Sequence, residues 1–319
     1  MPAPHRIDTH HHIFPPKWLA EERERILNDA QAVPREQLIA WTPSSAIEAM
    51  DQAGIATAIV SISTPGVTFG NAEQSRRLAR ICNEFGAEIA RDHKSRFGMF
   101  AILPLTDVEG SLAEIAYALD VLKLDGVGLM TSYGDLWPGN AKFAPVFDEL
   151  NRRKAIVYFH PTAPTCCTHL VPGIASAVIE FPTDSTRCIT DLLFSGTLTR
   201  CPDIKFIFSH GGGTLPMLAG RIASGLNRPH MKAAKERLPR GAMHEFKKLH
   251  YDVASVTSSA VSMGALLALA PLSQILFGSD YPFCGIDWFS SELRQLDLNP
   301  AQLAAIEREN GARLFPKYA

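Results

Sequence analysis

Short apolar runs alternate with longer helix-forming stretches along nearly the whole of this sequence. The runs are rich in β-branched and aromatic residues, which is typical of strands buried on both faces of a parallel sheet. They lie at residues 6–14, 57–62, 97–103, 126–130, 155–160, 205–210, 250–254 and 274–280. Eight such units in one chain predict an α/β fold of the closed (β/α)8 TIM barrel type rather than an open doubly wound sheet.

The intervening stretches show helix-start signals and apolar residues at helical spacing. We predict helices near residues 18–30, 43–53, 72–91, 108–122, 143–153, 215–226, 258–270, 288 and 300–309, with another through 189–193. Two polar stretches, at about 15–41 after strand one and about 227–248 after strand six, are interpreted as small insertions. The sequence therefore predicts one barrel domain that spans residues 1–319.

Composition limits the classes of partner. The formal net charge is −2 and no long run of either sign occurs, which argues against nucleic acid or a membrane surface as a partner. The longest apolar stretch is too short to cross a bilayer, and no leader precedes the first strand. The six cysteines show no CxxC spacing, and no glycine-rich nucleotide motif follows any strand. We therefore expect a soluble cytoplasmic protein that binds a small molecule.

Three consecutive histidines end the first predicted strand. Side chains alternate between the two faces of a strand, so His10 and His12 point one way and His11 points the other way. Two imidazoles on one face can chelate a divalent metal, although Zn²⁺ usually takes three or four protein ligands. The alternative is a tag fragment or a solvated tail, but three histidines are too few for a tag and they continue a strand pattern.

Further polar side chains stand where other predicted strands end. His160 ends strand five, His210 ends strand six and Asp280 ends strand eight. In a (β/α)8 barrel these carboxyl ends meet at one face, which holds the active site. Each residue alone has an ordinary explanation as a hydrogen-bonded core side chain, but together they predict a site. With His10 and His12 they form a ligand set for one divalent metal, Zn²⁺ first and Mn²⁺ or Fe²⁺ next. His210 then remains for acid–base chemistry.

Two longer motifs resemble a known family. The runs 208–213 (FSHGGG) and 277–283 (FGSDYPF), with the strand-end histidines, resemble the amidohydrolase superfamily and, within it, the branch typified by 2-amino-3-carboxymuconate-6-semialdehyde decarboxylase. The resemblance implies a barrel that forms homodimers. It also implies a catalytic role for His210 and these metal ligands: His10, His12, His160 and Asp280.

The same resemblance implies a substrate-binding arginine. Arg221 lies eleven residues after His210, where the family uses an arginine from the neighbouring subunit to bind a substrate carboxylate; a surface helix charge is the alternative. Only Arg35 is a loose candidate for the second carboxylate-binding arginine, which suggests a substrate with one carboxylate. Strand four ends in Met130 and offers no lysine to bridge a second metal. Residues 180–187 resemble relatives that decarboxylate salicylate-type acids, or else form a capped helix start, with Thr183 or Asp184 as the cap.

The expected activity is non-oxidative decarboxylation of an aromatic or conjugated hydroxy or amino acid by a carboxy-lyase that needs no organic cofactor. His210 would act as the base, and Asp280 would pass a proton to the carbon that bears the carboxylate. Hydrolysis of a lactone or an amide is the main alternative, because the same ligand set activates water. A barrel without catalysis that serves as an interaction protein is the second. His11 is expected to be structural, and the strand-five loop (Cys166, Cys167 and His169) is a weaker candidate for shaping the pocket.

Overall fold

The computed structural model describes residues 5–29, 38–168 and 170–319. In these residues eight parallel strands pair in sequence order from β1 to β8. They are β1 (Arg6–His12), β2 (Ile55–Ser61), β3 (Phe97–Ile102), β4 (Gly126–Met130), β5 (Ile156–His160), β6 (Lys205–Phe208), β7 (His250–Asp252) and β8 (Ile275–Leu276). With helices between the strands, this order confirms the predicted (β/α)8 barrel.

The barrel closes between its first and last strands. The amide of Thr9 donates to the carbonyl of Phe277 at 3.0 Å, and the amide of His12 donates to the carbonyl of Tyr281 at 2.7 Å. His11 and Tyr281 also form a parallel bridge beyond the end of β8. These bonds bring the start of the chain beside the segment that holds Asp280.

Helices surround the strands, and several have recognisable caps. The Thr42 side chain accepts from the amide of Ser45 in a capping box, and Asn71 accepts from the amide of Gln74. The α-helices are α1 (Pro16–Asp29), α2 (Pro43–Gln52), α3 (Ala72–Asp92), α4 (Val108–Ala116), α5 (Ala144–Arg152), α6 (Ser176–Phe194), α7 (Thr197–Arg200), α8 (Leu215–Gly225), α9 (Lys232–Glu236), α10 (Ala242–Lys248), α11 (Ala260–Leu269), α12 (Trp288–Leu293), α13 (Pro300–Ala304) and α14 (Asn310–Leu314). Two π-helical segments are Tyr117–Val121 and Ala305–Glu309. None of the described helices is long and apolar enough to cross a membrane.

The barrel interior is a packed layer that supports the mouth above it. Inward side chains from five strands form one buried cluster: Ile59, Phe100, Tyr158, Ile207 and Leu276, with Phe315 against them. The rings of Phe100 and Tyr158 stack with centroids 5.0 Å apart. The Tyr158 ring also meets the His10 ring at 5.6 Å. The interior layer therefore lies directly beneath the first histidine of the predicted metal site.

Strands one, six and seven end two residues earlier than predicted, at His12, Phe208 and Asp252, and two further predicted boundaries are also wrong. Strand eight is limited to Ile275–Leu276, because the chain after it leaves regular strand geometry and Asp280 has a φ of +54°. Helix α6 begins at Ser176, so Thr183 and Asp184 lie inside a helix and do not cap its start. The helix continues through Pro182, a residue that a sequence pattern treats as a helix breaker.

Candidate metal centre and active-site cavity

The structure brings together the four side chains that were predicted as metal ligands. His10, His12, His160 and Asp280 each offer one donor atom, and these atoms all lie within 4.8 Å of one another. All four residues are buried. They come from β1, β5 and the segment after β8, so only the closed barrel assembles them.

Three of the donor atoms form a tight triangle. The Nε2 atoms of His10 and His12 are 3.1 Å apart. Oδ1 of Asp280 is 3.1 Å from the first and 3.2 Å from the second. Ligands at about 2.0–2.1 Å from one tetrahedral Zn²⁺ lie about 3.3 Å from each other, which is close to these separations. Oδ1 of Asp280 has no hydrogen-bond partner among the described residues, so a divalent cation fits the donor set.

Contacts behind the ligands fix the direction of the imidazoles. Nδ1 of His12 lies 3.1 Å from the hydroxyl of Ser61. Nδ1 of His160 lies 2.9 Å from the carbonyl of Pro161, which can only accept, so Nδ1 carries the proton. In His160 the other nitrogen, Nε2, is therefore left with a lone pair for a metal ion.

Asp8 anchors the segment that holds Asp280. The amide and the hydroxyl of Ser279 donate to the Asp8 carboxylate at 3.0 and 2.6 Å. The amide of Asp280 donates to the carbonyl of His10 at 2.8 Å. His11 points away from the metal ligands, with Nδ1 3.1 Å from Asp8 and its ring against Tyr281. This placement agrees with the structural role expected for His11.

Asp252 on β7 is a site residue that the sequence reasoning missed. It is fully buried, and its Oδ2 lies 2.9 Å from Nδ1 of His10. The approach is bent, so the pair makes a close electrostatic contact rather than a well-aligned hydrogen bond. The other oxygen, Oδ1, accepts from the amides of His210 and Ala254, both at 3.0 Å. The available signal was an acidic residue inside an apolar strand, which buried sheets rarely tolerate without a partner.

The electrostatics favour an ionised carboxylate surrounded by imidazoles. Burial lowers the pKa of His12 to about 4 and holds that of His160 well below its usual value. Burial alone would lower the pKa of His10 as well, but the carboxylates of Asp252 and Asp280 raise it to about 10. Burial would raise the pKa of Asp280, yet His10 holds it well below its usual range. The site thus attracts positive charge, which a divalent cation supplies in place of a proton.

His210 stands beside the ligand set. Its Nδ1 lies 3.3 Å from the carbonyl of Ala254, and its Nε2 lies 3.8 Å from Oδ2 of Asp280. Burial lowers the pKa of His210, which favours the neutral imidazole. An imidazole with a free Nε2 next to a metal site has the position and the protonation state of a general base.

At the three positions after His210 glycine is favoured for two reasons: an added Cβ would overlap neighbouring atoms, and the backbone has a left-handed conformation. All of them have positive φ values. A Cβ on Gly213 would lie 1.9 Å from the carbonyl oxygen of Pro182, and one on Gly212 would lie 2.9 Å from the Tyr251 ring. The backbone after β6 therefore packs directly against helix α6 and β7, which sets the position of His210.

A cavity of about 370 Å³ opens above the ligand set. His160, His210 and Asp280 form its floor, and apolar side chains form much of its wall: Ala177, Val178, Phe181, Val256 and Phe283. Ser63, Thr64 and two further serines also line it. Among the described residues no lysine or arginine lines the cavity. Its size and lining are those of a small-molecule site.

Arg221 and the two cysteines of the strand-five loop do not line this cavity. Arg221 is exposed on α8 and lines a separate cavity of about 690 Å³. Cys166 and Cys167 are not part of the described lining of the first cavity. Arg35 and His169 fall outside the residues that the structure describes.

Fold and site together define the class of protein: a (β/α)8 barrel with four side chains suited to bind a divalent metal at the carboxyl ends of its strands. The family model described as Amidohydrolase matches residues 7–317. The chain belongs to the amidohydrolase family.

Its relatives include several decarboxylases. The chain is 34% identical to Decarboxylase macB of Penicillium terrestre, over 98% of this chain and 95% of the relative. It is 32% identical to 6-methylsalicylic acid decarboxylase of Penicillium expansum, over 98% of this chain and 96% of the relative. The crystal structure of Amidohydrorolase II superposes with a TM-score of 0.89 at 26% identity, covering 98% of this chain and 99% of that one. The resemblance stated from the two motifs is therefore confirmed.

Proposed function

We propose that this protein is a metal-dependent, non-oxidative decarboxylase of a hydroxylated aromatic acid. The observation that supports this most directly is the arrangement of His210, which faces Asp280 across 3.8 Å beside the ligand set at the floor of an apolar cavity. Decarboxylases named among the relatives match over 98% of the chain. Substrates of the salicylate type, such as 6-methylsalicylate, are therefore the first to test.

The proposed metal ligands are His10, His12, His160 and Asp280. A divalent cation held by them would supply the positive charge that stabilises negative charge developing on substrate oxygens. Zn²⁺ suits three imidazoles and one carboxylate in a tight cluster, and Mn²⁺ and Fe²⁺ are the alternatives.

The chain's own residues account for the proton transfers. Neutral His210 would accept the phenolic proton of the substrate, which raises electron density at the carbon that bears the carboxylate. His210 would pass that proton to the ionised Asp280, whose Oδ2 lies 3.8 Å from Nε2 of His210, and Asp280 would deliver it to the carbon that bears the carboxylate. The bond between the ring and the carboxylate then breaks, CO2 leaves, and the electron pair of that bond restores the aromatic ring. The phenolate that remains takes up a proton from solvent. The apolar wall formed by Phe181, Val256 and Phe283 would hold the ring and exclude water.

A homodimer would add a residue to this site. The described lining holds no cationic side chain, and Arg221 is exposed on the surface of its own chain. In the proposed dimer Arg221 of one copy would contact the substrate carboxylate in the cavity of the other. Sedimentation of the purified protein measures the oligomeric state. The cytoplasmic location expected from composition stays a prediction.

The test is a decarboxylation assay with a matched hydrolysis assay. The purified protein, analysed for bound Zn, Mn and Fe, is incubated with 6-methylsalicylate, with 2,6-dihydroxybenzoate and with simple aromatic lactones. Release of CO2 together with the corresponding phenol is expected, and it should stop when a chelator removes the metal. Acid formation from a lactone without any CO2 release would instead establish the hydrolase alternative.

A further inference from the structure

Two side chains of the cavity lining have a buried oxygen with no hydrogen-bond partner among the described residues. One is Asp280, whose Oδ1 is accounted for by the proposed cation. The other is Ser63, which is 2% exposed and follows the end of β2. In the structure the Ser63 hydroxyl is closed off from solvent, although the residue lines the cavity. A buried hydroxyl without a partner is unfavourable, and a bound molecule that offers it a partner removes this penalty.

The hydroxyls next to Ser63 are satisfied within the protein. Thr64 Oγ1 lies 3.1 Å from Oγ1 of Thr162. The amide of Thr162 donates to Oγ1 of Thr131 at 3.1 Å, and that hydroxyl donates to Asp184 at 2.5 Å. This network joins the loops after β2, β4 and β5 to helix α6. It leaves Ser63 out, so the Ser63 hydroxyl does not serve to hold the loops together.

The backbone that holds Ser63 is fixed. The amide of Gly66 donates to the carbonyl of Ser63 at 3.0 Å, and the Trp18 indole donates to the carbonyl of Gly66 at 3.1 Å. Trp18 is fully buried in the insertion after β1. Rotation about the Cα–Cβ bond among its three staggered positions would turn the hydroxyl toward a molecule bound in the cavity. A fixed backbone with a rotatable hydroxyl suits a hydrogen bond to a bound molecule.

We propose that Ser63 is a substrate-binding residue whose hydroxyl donates a hydrogen bond to an anionic or phenolic oxygen of a hydroxybenzoate in the cavity. The proposal rests on the proposed function and adds a contact to it. No lysine or arginine of the described chain lines the cavity, so a neutral donor is what the chain's own lining offers to orient the acid there. A hydrogen bond to a charged oxygen is stronger than one between neutral groups.

The test compares Ser63→Ala with Ser111→Ala. The Ser111 hydroxyl is equally buried and also has no partner among the described residues, but it lies on α4 and not at the cavity. We expect Ser63→Ala to lower kcat/KM for 6-methylsalicylate by about 10- to 100-fold. Ser111→Ala should change it by less than about 2-fold. Ser63→Cys, which keeps the volume but donates weakly, should fold normally and still lose activity.

Calorimetry with partial ligands identifies the oxygen that Ser63 contacts. Weaker binding of 2-methylbenzoate to Ser63→Ala would assign the bond to the carboxylate, and weaker binding of 3-methylphenol would assign it to the phenol. Unchanged turnover and binding in Ser63→Ala, or equal losses in both alanine variants, would overturn the proposal. Wild-type protein that binds 6-methylsalicylate without releasing CO2 would refute only the decarboxylase function, whereas the absence of binding would refute both.

Discussion

Nδ1 of His10 and Oδ2 of Asp252 lie 2.9 Å apart, although the two residues belong to β1 and β7. Asp252 also accepts the backbone amide of His210. One buried carboxylate therefore positions both a proposed metal ligand and the proposed base. A carboxylate beside Nδ1 keeps the imidazole proton on that nitrogen. The Nε2 atom then keeps its lone pair and is a better ligand for a metal.

Replacing Asp252 tests this coupling. Asp252→Asn keeps the size but removes the charge, so we expect metal affinity to fall by about 10- to 100-fold. Bound metal after dialysis against a graded series of chelator concentrations measures the change. Asp191→Asn is the control, because Asp191 is a partly buried carboxylate on α6 that accepts from the Gly139 amide at 2.7 Å. Equal metal retention in both variants would show that Asp252 does not support the site.

His210→Ala separates catalysis from metal binding. Loss of a general base is expected to lower kcat by at least about 100-fold. The metal content should not change, because His210 is not one of the four clustered donors. Elemental analysis and steady-state kinetics are measured on the same preparation, with His93→Ala before β3 as the control. Loss of the metal from the His210 variant would place this residue among the ligands instead.

Gly213→Ala should disturb the contact between the His210 loop and helix α6. The added Cβ would overlap the Pro182 carbonyl, and the residue has a φ of +68°, so we expect a loss of at least about 2 kcal/mol in the free energy of unfolding. Gly220→Ala on α8 meets no atom within 4 Å and should stabilise the helix by up to about 1 kcal/mol. Urea denaturation measures both changes. Equal stability of the two variants would contradict the packing described for Gly213.

His250 predicts a dependence of stability on pH that is separate from the metal site. Burial lowers the pKa of His250 from 6.5 to about 4. Between these values the unfolded chain binds the proton and the folded chain does not, so stability rises with pH across this window and is complete above it. The contribution amounts to about 3 kcal/mol. His250→Gln should flatten the profile of unfolding free energy between pH 4 and 6.5, whereas exposed His230→Gln should not.

Most of the fold could be predicted from the sequence because strand periodicity is a local property. The same holds for the strand-end side chains: His160, His210 and Asp280 each follow an apolar run, and the parallel arrangement of a barrel brings such ends together. Once the barrel fold had been predicted, it followed that these side chains would lie close to His10 and His12. The catalytic and metal-binding roles assigned to them stay predictions until metal content and activity are measured.

Features that depend on contacts between distant segments could not be predicted. Asp252 is part of the site because it contacts His10, which lies in another strand, and no local sequence pattern links the two residues. The unpaired state of Ser63 depends on which neighbouring hydroxyls find partners. Helix α6 continues through Pro182 although proline lacks the amide hydrogen of a helical bond, and the carbonyl of Pro182 accepts from the amide of Thr214, a residue distant in sequence, at 3.3 Å. Tertiary packing overrides local propensity at this position.

The closure of β1 against the segment after β8 also has a consequence for biosynthesis. His10 and His12 are synthesised before Asp280, which follows on the order of tens of seconds later at usual elongation rates. During that interval the early histidines have no carboxylate partner and bind a cation only weakly. Metal loading is therefore expected to follow translation, and the ion to enter a barrel that is already complete.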